Sequence, residues 1–369
     1  MESVVQDLCE GLVKENVDVE VLCSHTKAVG SSSVINGVKV SKLFRLGTLF
    51  SQSINPSLIF RLFFKSKDYD LIHLHYPNPL AEFASLFLPK EKPLVITYHS
   101  DIIRQKSLLR FYKPLQRRIL ERAQKILVPT KNHIDCSPVL LEFKDKCEII
   151  PFGINIKDAI TPLEEKVNAL KKEHGRFALF VGRLVGYKGL NILIEASKDI
   201  DQKILIVGQG PENERLREQV KKLGLSNKVK LLGRVEDLNE FWAYYEACEF
   251  FVLPSITSNE NFGIVQLEAM YRSKAVITTD LKSGVPLVGE KGKTSLVVKP
   301  NDSEQLAKAI QFLFNNPEKT VEMGKAGRER FDKLYTLDKM ISSHINSYRE
   351  LLGQDLREAK DLDRFSKVS

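Results

Sequence analysis

Short runs rich in Val, Ile and Leu alternate with longer stretches of helical period, and the alternation occurs twice along the 369 residues. Runs that are apolar at every position suit strands buried on both faces, so the pattern predicts parallel sheets covered by helices on each side. In the first half the strands fall at 17–23, 70–75, 93–99, 125–129 and 147–151, with helices near 2–15, 78–88 and 108–124. In the second half they fall at 177–182, 203–208, 228–233, 249–254, 274–279 and 294–298, with helices near 188–198, 212–223, 237–247, 263–272, 303–315 and 318–332. Between the halves, PFGINIKDAITP (151–162) carries proline and glycine without helical period, which places the hinge there. The expectation is an α/β chain of two doubly wound Rossmann-like domains, 1–153 and 154–336, facing across a cleft, with a last helix and tail over 337–369. The chain opens on a helix whose apolar face is Val4, Val5, Leu8, Leu12 and Val13 and runs straight into a strand. A doubly wound lobe begins strand, glycine turn, helix, so a first strand and its turn are expected to be absent and Met1 to be an internal methionine of a longer natural protein.

The composition, 43% hydrophobic and 28% charged, is that of a globular chain. No apolar run approaches the roughly 18 residues of a spanning helix, because the best candidate, SLIFRLFF (57–64), is cut by Arg61. The N-terminus carries carboxylates where an export signal carries a basic region and an apolar block, so the expected compartment is the cytoplasm. Cys9, Cys23, Cys136, Cys147 and Cys248 are scattered without a CxxC pair and read as reduced thiols. Asp68 and Asp70 lead into a strand rather than forming a metal-binding DxD. His73 and His75 share a strand face without a third ligand in view, so no metal is expected; one of the pair is expected to be buried and the other near the cleft.

The net charge of +8 is concentrated. Residues 41–125 hold 15 Lys plus Arg against 6 Asp plus Glu, and 104–125 alone carries Arg104, Lys106, Arg110, Lys113, Arg117, Arg118, Arg122 and Lys125 against Glu121. Leu108, Leu109, Phe111, Tyr112, Leu115, Ile119 and Leu120 interleave with them, as in helices that lie on anionic lipid, which would put the protein peripherally on the inner face of the plasma membrane. No nucleic-acid signature accompanies the charge.

Two segments carry chemistry. In PSITSNENFGIVQLEAM (254–270), Glu260 and Glu268 are separated by seven residues. A helix beginning near Gly263 would put Glu260 in the preceding loop and Glu268 on the second turn, carboxylates able to accept hydrogen bonds from hydroxyls on either side of a diphosphate held at the helix start. In VGRLVGYKG (181–189), Arg183 and Lys188 follow the first strand of the second lobe and supply a forked donor and a point cation for phosphates.

Together these residues resemble the retaining nucleotide-sugar glycosyltransferases of the GT-B fold, specifically family four with its Glu-x7-Glu signature, and the resemblance runs the length of the chain. It implies that Arg183 and Lys188 bind the donor diphosphate, Glu260 the sugar hydroxyls and Glu268 the ribose. Asn261, Phe262, Gly263 and Ile264 form the intervening loop, while Gly233, Arg234 and Val235 match the turn beside the base. Gly208 to Pro211 match a structural turn. His99, ending PLVITYH, corresponds to the first-lobe histidine that faces the donor sugar. YHSDIIRQK (98–106), GIVQLEAM and LKSGVP look like the mannose and rhamnose subgroup, which points to GDP-mannose as donor and a lipid-linked or polysaccharide acceptor, with no cofactor. Asn261, Ala275 and Ser295 depart from the family's commoner glycine, proline and glycine. A UDP- or ADP-sugar donor, or a catalytically silent nucleotide-sugar-binding subunit, remains open from sequence. No GxGxxG follows a strand with a ribose-binding acid about 20 residues on, which argues against an NAD enzyme.

Overall fold

The computed structural model describes residues 2–25, 30–49, 52–101, 106–156 and 160–353. The chain divides into two compact units. The first runs to Phe152 and resumes at Leu337; the second is Gly153–Thr336.

In the first unit α1 (Glu2–Lys14) precedes β1 (Glu20–Ser24), β2 (Ser31–Ile35) and β3 (Val38–Leu43), then β4 (Gly47–Leu49), β5 (Gln52–Ile54) and α2 (Ser57–Lys65). After these come β6 (Ile72–Tyr76), α3 (Pro79–Ser85), β7 (Leu94–Tyr98), α4 (Lys106–Arg122), β8 (Lys125–Val128), α5 (Lys131–Asp135), α6 (Pro138–Leu141) and β9 (Cys147–Ile149). β6-β7-β8-β9 form a parallel sheet, while β1 pairs in parallel with β3 in a separate sheet. The hairpin β2–β3 was not expected, although its Asn36-Gly37 turn, with φ of 49° and 84°, carries the strongest short-range hairpin signal a sequence can offer.

β1 and β6 flank a cavity of about 1120 Å³, lined by Leu8 and Leu12 of α1, Val21 and Cys23 of β1, and Ile72 and Leu74 of β6 among others. β1 is half-buried along its whole length, whereas β7 is buried at every residue. In a continuous doubly wound sheet a further parallel strand would separate two such edges. The last helix, α15 (Leu337–Leu351), packs on α1 so closely that a Cβ at Gly11 would lie 1.9 Å from Ile341 Cδ1. Tyr348 on the same helix bonds through its hydroxyl to His73 Nδ1 at 2.6 Å.

The second unit contains α7 (Glu164–His174), β10 (Phe177–Val181), α8 (Leu190–Ala196), β11 (Lys203–Val207), α9 (Asn213–Lys222), β12 (Val229–Gly233) and α10 (Leu238–Ala247). It continues with β13 (Phe250–Leu253), α11 (Val265–Tyr271), β14 (Ala275–Thr279), α12 (Val285–Val288), β15 (Ser295–Val298), α13 (Ser303–Asn315) and α14 (Pro317–Leu334). All six strands expected here form, in the parallel order β12-β11-β10-β13-β14-β15. β10, β13 and β14 are buried at every residue, as their unbroken apolar runs require. The order reverses between β10 and β13, so the loops after these two strands leave the sheet side by side. That reversal is the place where an open α/β sheet holds a ligand.

Candidate active site

The loop after β10 is brought onto the loop after β13 by a glycine. Gly189 has φ +69°, and a Cβ there would lie 2.0 Å from the backbone oxygen of Pro254. The approach is sealed by the Ile256 amide, which donates to the Tyr187 carbonyl at 2.8 Å. Lys188, the residue before this glycine, is thereby turned inward: it is buried, and its Nζ meets Glu260 Oε2 at 2.5 Å. Glu260 is itself buried and accepts a second hydrogen bond from Ser255 Oγ at 3.1 Å. Neighbours in space but distant in sequence, Lys188 and Glu260 are a charge pair with both members desolvated, the kind that is costly to break from one side. Gly189→Ala is therefore expected to lose both the left-handed turn, about 1–2 kcal/mol, and the loop contact that aligns Lys188. Thermal melts should show a lower midpoint, and nucleotide titration should show weakened binding; an unchanged midpoint would mean that this contact does not hold the loops together.

Beside Lys188 opens a cavity of about 780 Å³ at the ends of β10, β11 and β12. The Lys188 ammonium stands 3.8 Å from where a Gly182 Cβ would be, and Gly182 lines the cavity. Arg183, Gly208, Gly210, Gly233, Arg234 and Val235 line it as well, with Arg183 exposed. Its floor is backbone: the Gly182 amide donates to Val207, the Gly208 amide donates to Gly233, and a Cβ at Gly208 would strike the Gly182 oxygen at 1.9 Å. A site with bare backbone as its floor and cations at its edge suits a phosphate-bearing ligand.

Glu268 lies on α11 and accepts from the Tyr245 hydroxyl of α10 at 2.5 Å. Burial pushes its carboxyl up to about 7, while Tyr245 and the Lys188 charge pull in the opposite direction. α11 begins at Val265 and is seven residues long, later and shorter than the helix expected from Gly263. The segment between the two glutamates is built for packing. Phe262 is buried against Tyr335, Gly263 takes φ +73° under Leu253, and the Asn261 carbonyl accepts from the Gly284 amide. Asn261, Phe262, Gly263 and Ile264 do not line the 780 Å³ cavity; of the residues expected to bind, Arg183, Gly233 and Val235 do.

Residues 1–158 match the family Glycosyltransferase Family 4, and residues 163–330 match Glycosyl transferases group 1. Over 338 residues the chain is 31% identical to the D-rhamnosyltransferase WbpZ of Pseudomonas aeruginosa, spanning 91% of this chain and 88% of that protein. The chain is a GT-B glycosyltransferase of group 1 and family 4. The O-antigen chain mannosyltransferase C of Escherichia coli is 33% identical to it over 285 residues, 77% of this chain and 76% of the other. The sucrose-phosphate synthase of Thermosynechococcus elongatus shares its fold, with a TM-score of 0.75 at 24% identity over 95% of this chain and 93% of that one. Enzymes of this class bind a nucleotide-sugar donor and a glycan acceptor.

In the first unit of the glycosyltransferase, His99 is buried, with Nε2 3.0 Å from His75 Nδ1 and its ring stacked on Phe152. Burial, then the neighbouring His75, pushes its imidazole down to about 2, so it is neutral at physiological pH. His73 and His75 differ from the expectation of one buried and one near the cleft, since neither is fully buried. Both are half-buried, stacked at 4.6 Å and engaged in hydrogen bonds, because the sheet edge and α15 enclose them together. Sequence reasoning missed Ser255 and Tyr245, which hold the two glutamates, as well as Asn213 and Arg217 in the cavity wall. Ser255 lies in the same loop as Glu260, while Tyr245 on α10 and Asn213 with Arg217 on α9 reach the site from helices whose sequence carries no signal for it.

The basic 104–125 segment is more occupied than its composition suggested. Arg104 and the side chains of 106–111 lie outside the described residues. Arg117 pairs with Glu121 and Glu142, Arg122 donates to the carbonyls of Pro89 and Lys92, and Lys125 pairs with Glu148 and Glu350. Lys113 and Arg118 are exposed. All five cysteines are free thiols. Among the described residues no helix is long and apolar enough to cross a membrane.

Proposed function

We propose that the protein transfers a hexose with retention, mannose from GDP-mannose, to a hydroxyl of a lipid-linked or polysaccharide acceptor in cell-surface glycan synthesis. The observation that carries this reading is the buried Lys188–Glu260 pair beside the glycine-floored cavity. The names of the mannosyl- and rhamnosyltransferase relatives support the sugar. In the reaction the bond from the anomeric carbon to the diphosphate oxygen breaks, the acceptor oxygen bonds that carbon on the same face, and the departing phosphate takes the acceptor proton. Arg183 and Lys188 stabilise the charge that grows on the leaving diphosphate, a task that needs donors already in place and no metal. Glu260 holds the sugar hydroxyls, Glu268 the ribose and Gly233 with Val235 the base. His99 serves the donor sugar as a neutral imidazole.

Calorimetric titration with GDP, UDP and ADP without added metal tests the donor. Selective GDP binding is expected, followed by acceptor-dependent GDP release from GDP-mannose. Preference for UDP or ADP would overturn the mannosyl reading, and binding without any release would favour a silent subunit.

The same titration carries a pH dependence. A ribose hydroxyl donates to the ionised form of Glu268, and that carboxyl titrates at about 7. Nucleotide affinity is therefore expected to fall as pH drops through 7, by about tenfold from pH 8 to pH 6. Glu268→Gln should flatten this part of the profile while sparing the titration of the phosphate itself; an unaltered slope would remove Glu268 from the ribose.

A further inference from the structure

Three arginines, Arg183, Arg217 and Arg234, wall the 780 Å³ cavity of the second unit, and among the described residues no carboxylate lines it. Arg183 has its task on the diphosphate, and Arg234 stands 3.6 Å from Glu236. Arg217 has neither. It lies exposed on α9, and its Nη2 donates to the Leu231 carbonyl of β12 at 3.0 Å. Because β12 is the outermost strand of the sheet, that bond ties the side chain to the sheet edge. Nε and Nη1 have no partner among the described residues.

Strand order decides which end of a nucleotide meets this arginine. Lys188 follows β10, with its ammonium beside Gly182 at the end of that strand. β12 lies two strands away in the order β12-β11-β10, about 10 Å at ordinary strand spacing. A diphosphate held at β10 therefore leaves the β12 end of the cavity to the base. Gly233 and Val235 line that end, as does the half-buried ring of Phe241 on α10, a flat apolar face for a base to lie against.

A guanidinium only donates, and does so in a planar fork. Guanine offers such a fork two adjacent acceptors, O6 and N7. Adenine puts an amino donor where guanine has O6, and a pyrimidine has no N7. Resting on the guanosine-donor reading above, we propose that Arg217 selects guanine by donating to O6 and N7 of the base. The 2-amino group, with no carboxylate in the wall to receive it, adds little.

Calorimetric titration of the full chain and of R217A and R217K with GDP, inosine diphosphate, ADP and UDP tests this. The wild type should bind GDP and inosine diphosphate alike, because both carry O6 and N7. R217A should lose about tenfold for these two and stay unchanged for ADP and UDP, with a wild-type melting midpoint. R217K should lose nearly as much, since an ammonium keeps the charge but not the fork. An equal loss for all four nucleotides in R217A would make Arg217 a phosphate or structural group and overturn the proposal. So would full GDP preference in R217K, or wild-type binding of inosine diphosphate far weaker than of GDP. GDP preference that R217A leaves intact would sink the role of Arg217 while sparing the donor; wild-type preference for ADP or UDP would sink both.

Discussion

Glu260→Gln is expected to lower sugar transfer by roughly a hundredfold to a thousandfold while nucleotide still binds. The size follows from the loss of one positioned charged group at a reacting centre, about 2.7–4 kcal/mol. Glutamine is the informative replacement because of what surrounds the position. Lys188 and Ser255 both meet Oε2 of Glu260, and both it and Lys188 are buried. Alanine would leave a buried ammonium unpaired, which costs about 3–5 kcal/mol and mixes folding with catalysis. Glutamine keeps an acceptor in place. Turnover of Glu260→Gln, measured as acceptor-dependent nucleotide release, should fall, with a smaller drop in melting midpoint than Glu260→Ala shows. Comparison with Lys188→Met and the double variant separates the roles: residues acting as one unit give losses that do not add. Wild-type turnover in Glu260→Gln would sink the role assigned to it.

Acid is expected to unfold the first unit well before the second. Of seven histidines in the chain, six lie in the first unit, and five of these sit in or beside its parallel sheet and α15. Burial is the largest cause in each case. It pushes His75 down to about 3, His99 to about 2, and His133 and His344 to about 4, and it lowers His73 too. An unfolded histidine takes a proton near 6.5, so between that value and the folded values the unfolded chain binds more protons and stability falls with pH. Above 6.5 the contribution is fully present. At pH 5 each of the four valued histidines has lost about 2 kcal/mol, or about 8 kcal/mol together.

Glu82 works the other way. Burial raises its carboxyl to about 7 despite hydrogen bonds from the Tyr112 hydroxyl and the Asn78 amide. A raised carboxyl adds stability as pH falls from 7, about 3 kcal/mol by pH 5. The balance is a loss of about 5 kcal/mol, a large part of an ordinary domain's 5–15 kcal/mol. For a unit of this size the melting midpoint should drop by about 10–20 °C between pH 7.5 and pH 5. Trp242, the sole tryptophan, belongs to the second unit, so its fluorescence follows that unit while calorimetry follows both. A calorimetric transition that stays put over this range would show that the imidazoles are protonated in the folded state.

The strands of the second unit were legible because each is buried on both faces and its apolar run has no interruption, as in FALFV and FFVL. α7 was not read, since its sequence EEKVNALKKEH buries only Val167 and His174 and its periodicity is faint. α2 was read only as too charged to span a membrane, yet Arg61 is what an amphipathic surface helix carries on its outer side. β4 and β5 escaped because three-residue strands hold too little pattern for a period to show.

By itself the sequence determined the two-lobed α/β architecture and the family, because strand burial and chemistry-bearing loops leave local patterns of composition. It also named Arg183, Lys188, Glu260 and Glu268 as a group. The tertiary structure alone decided how they meet. Lys188 reaches Glu260 because strand order reverses between β10 and β13 and because Gly189 lets one backbone touch another at Pro254. Tyr245 and the row of stacked histidines entered in the same way, through contacts between elements far apart in the chain. Pairing of that kind depends on sheet order and close approach, which no window of sequence contains.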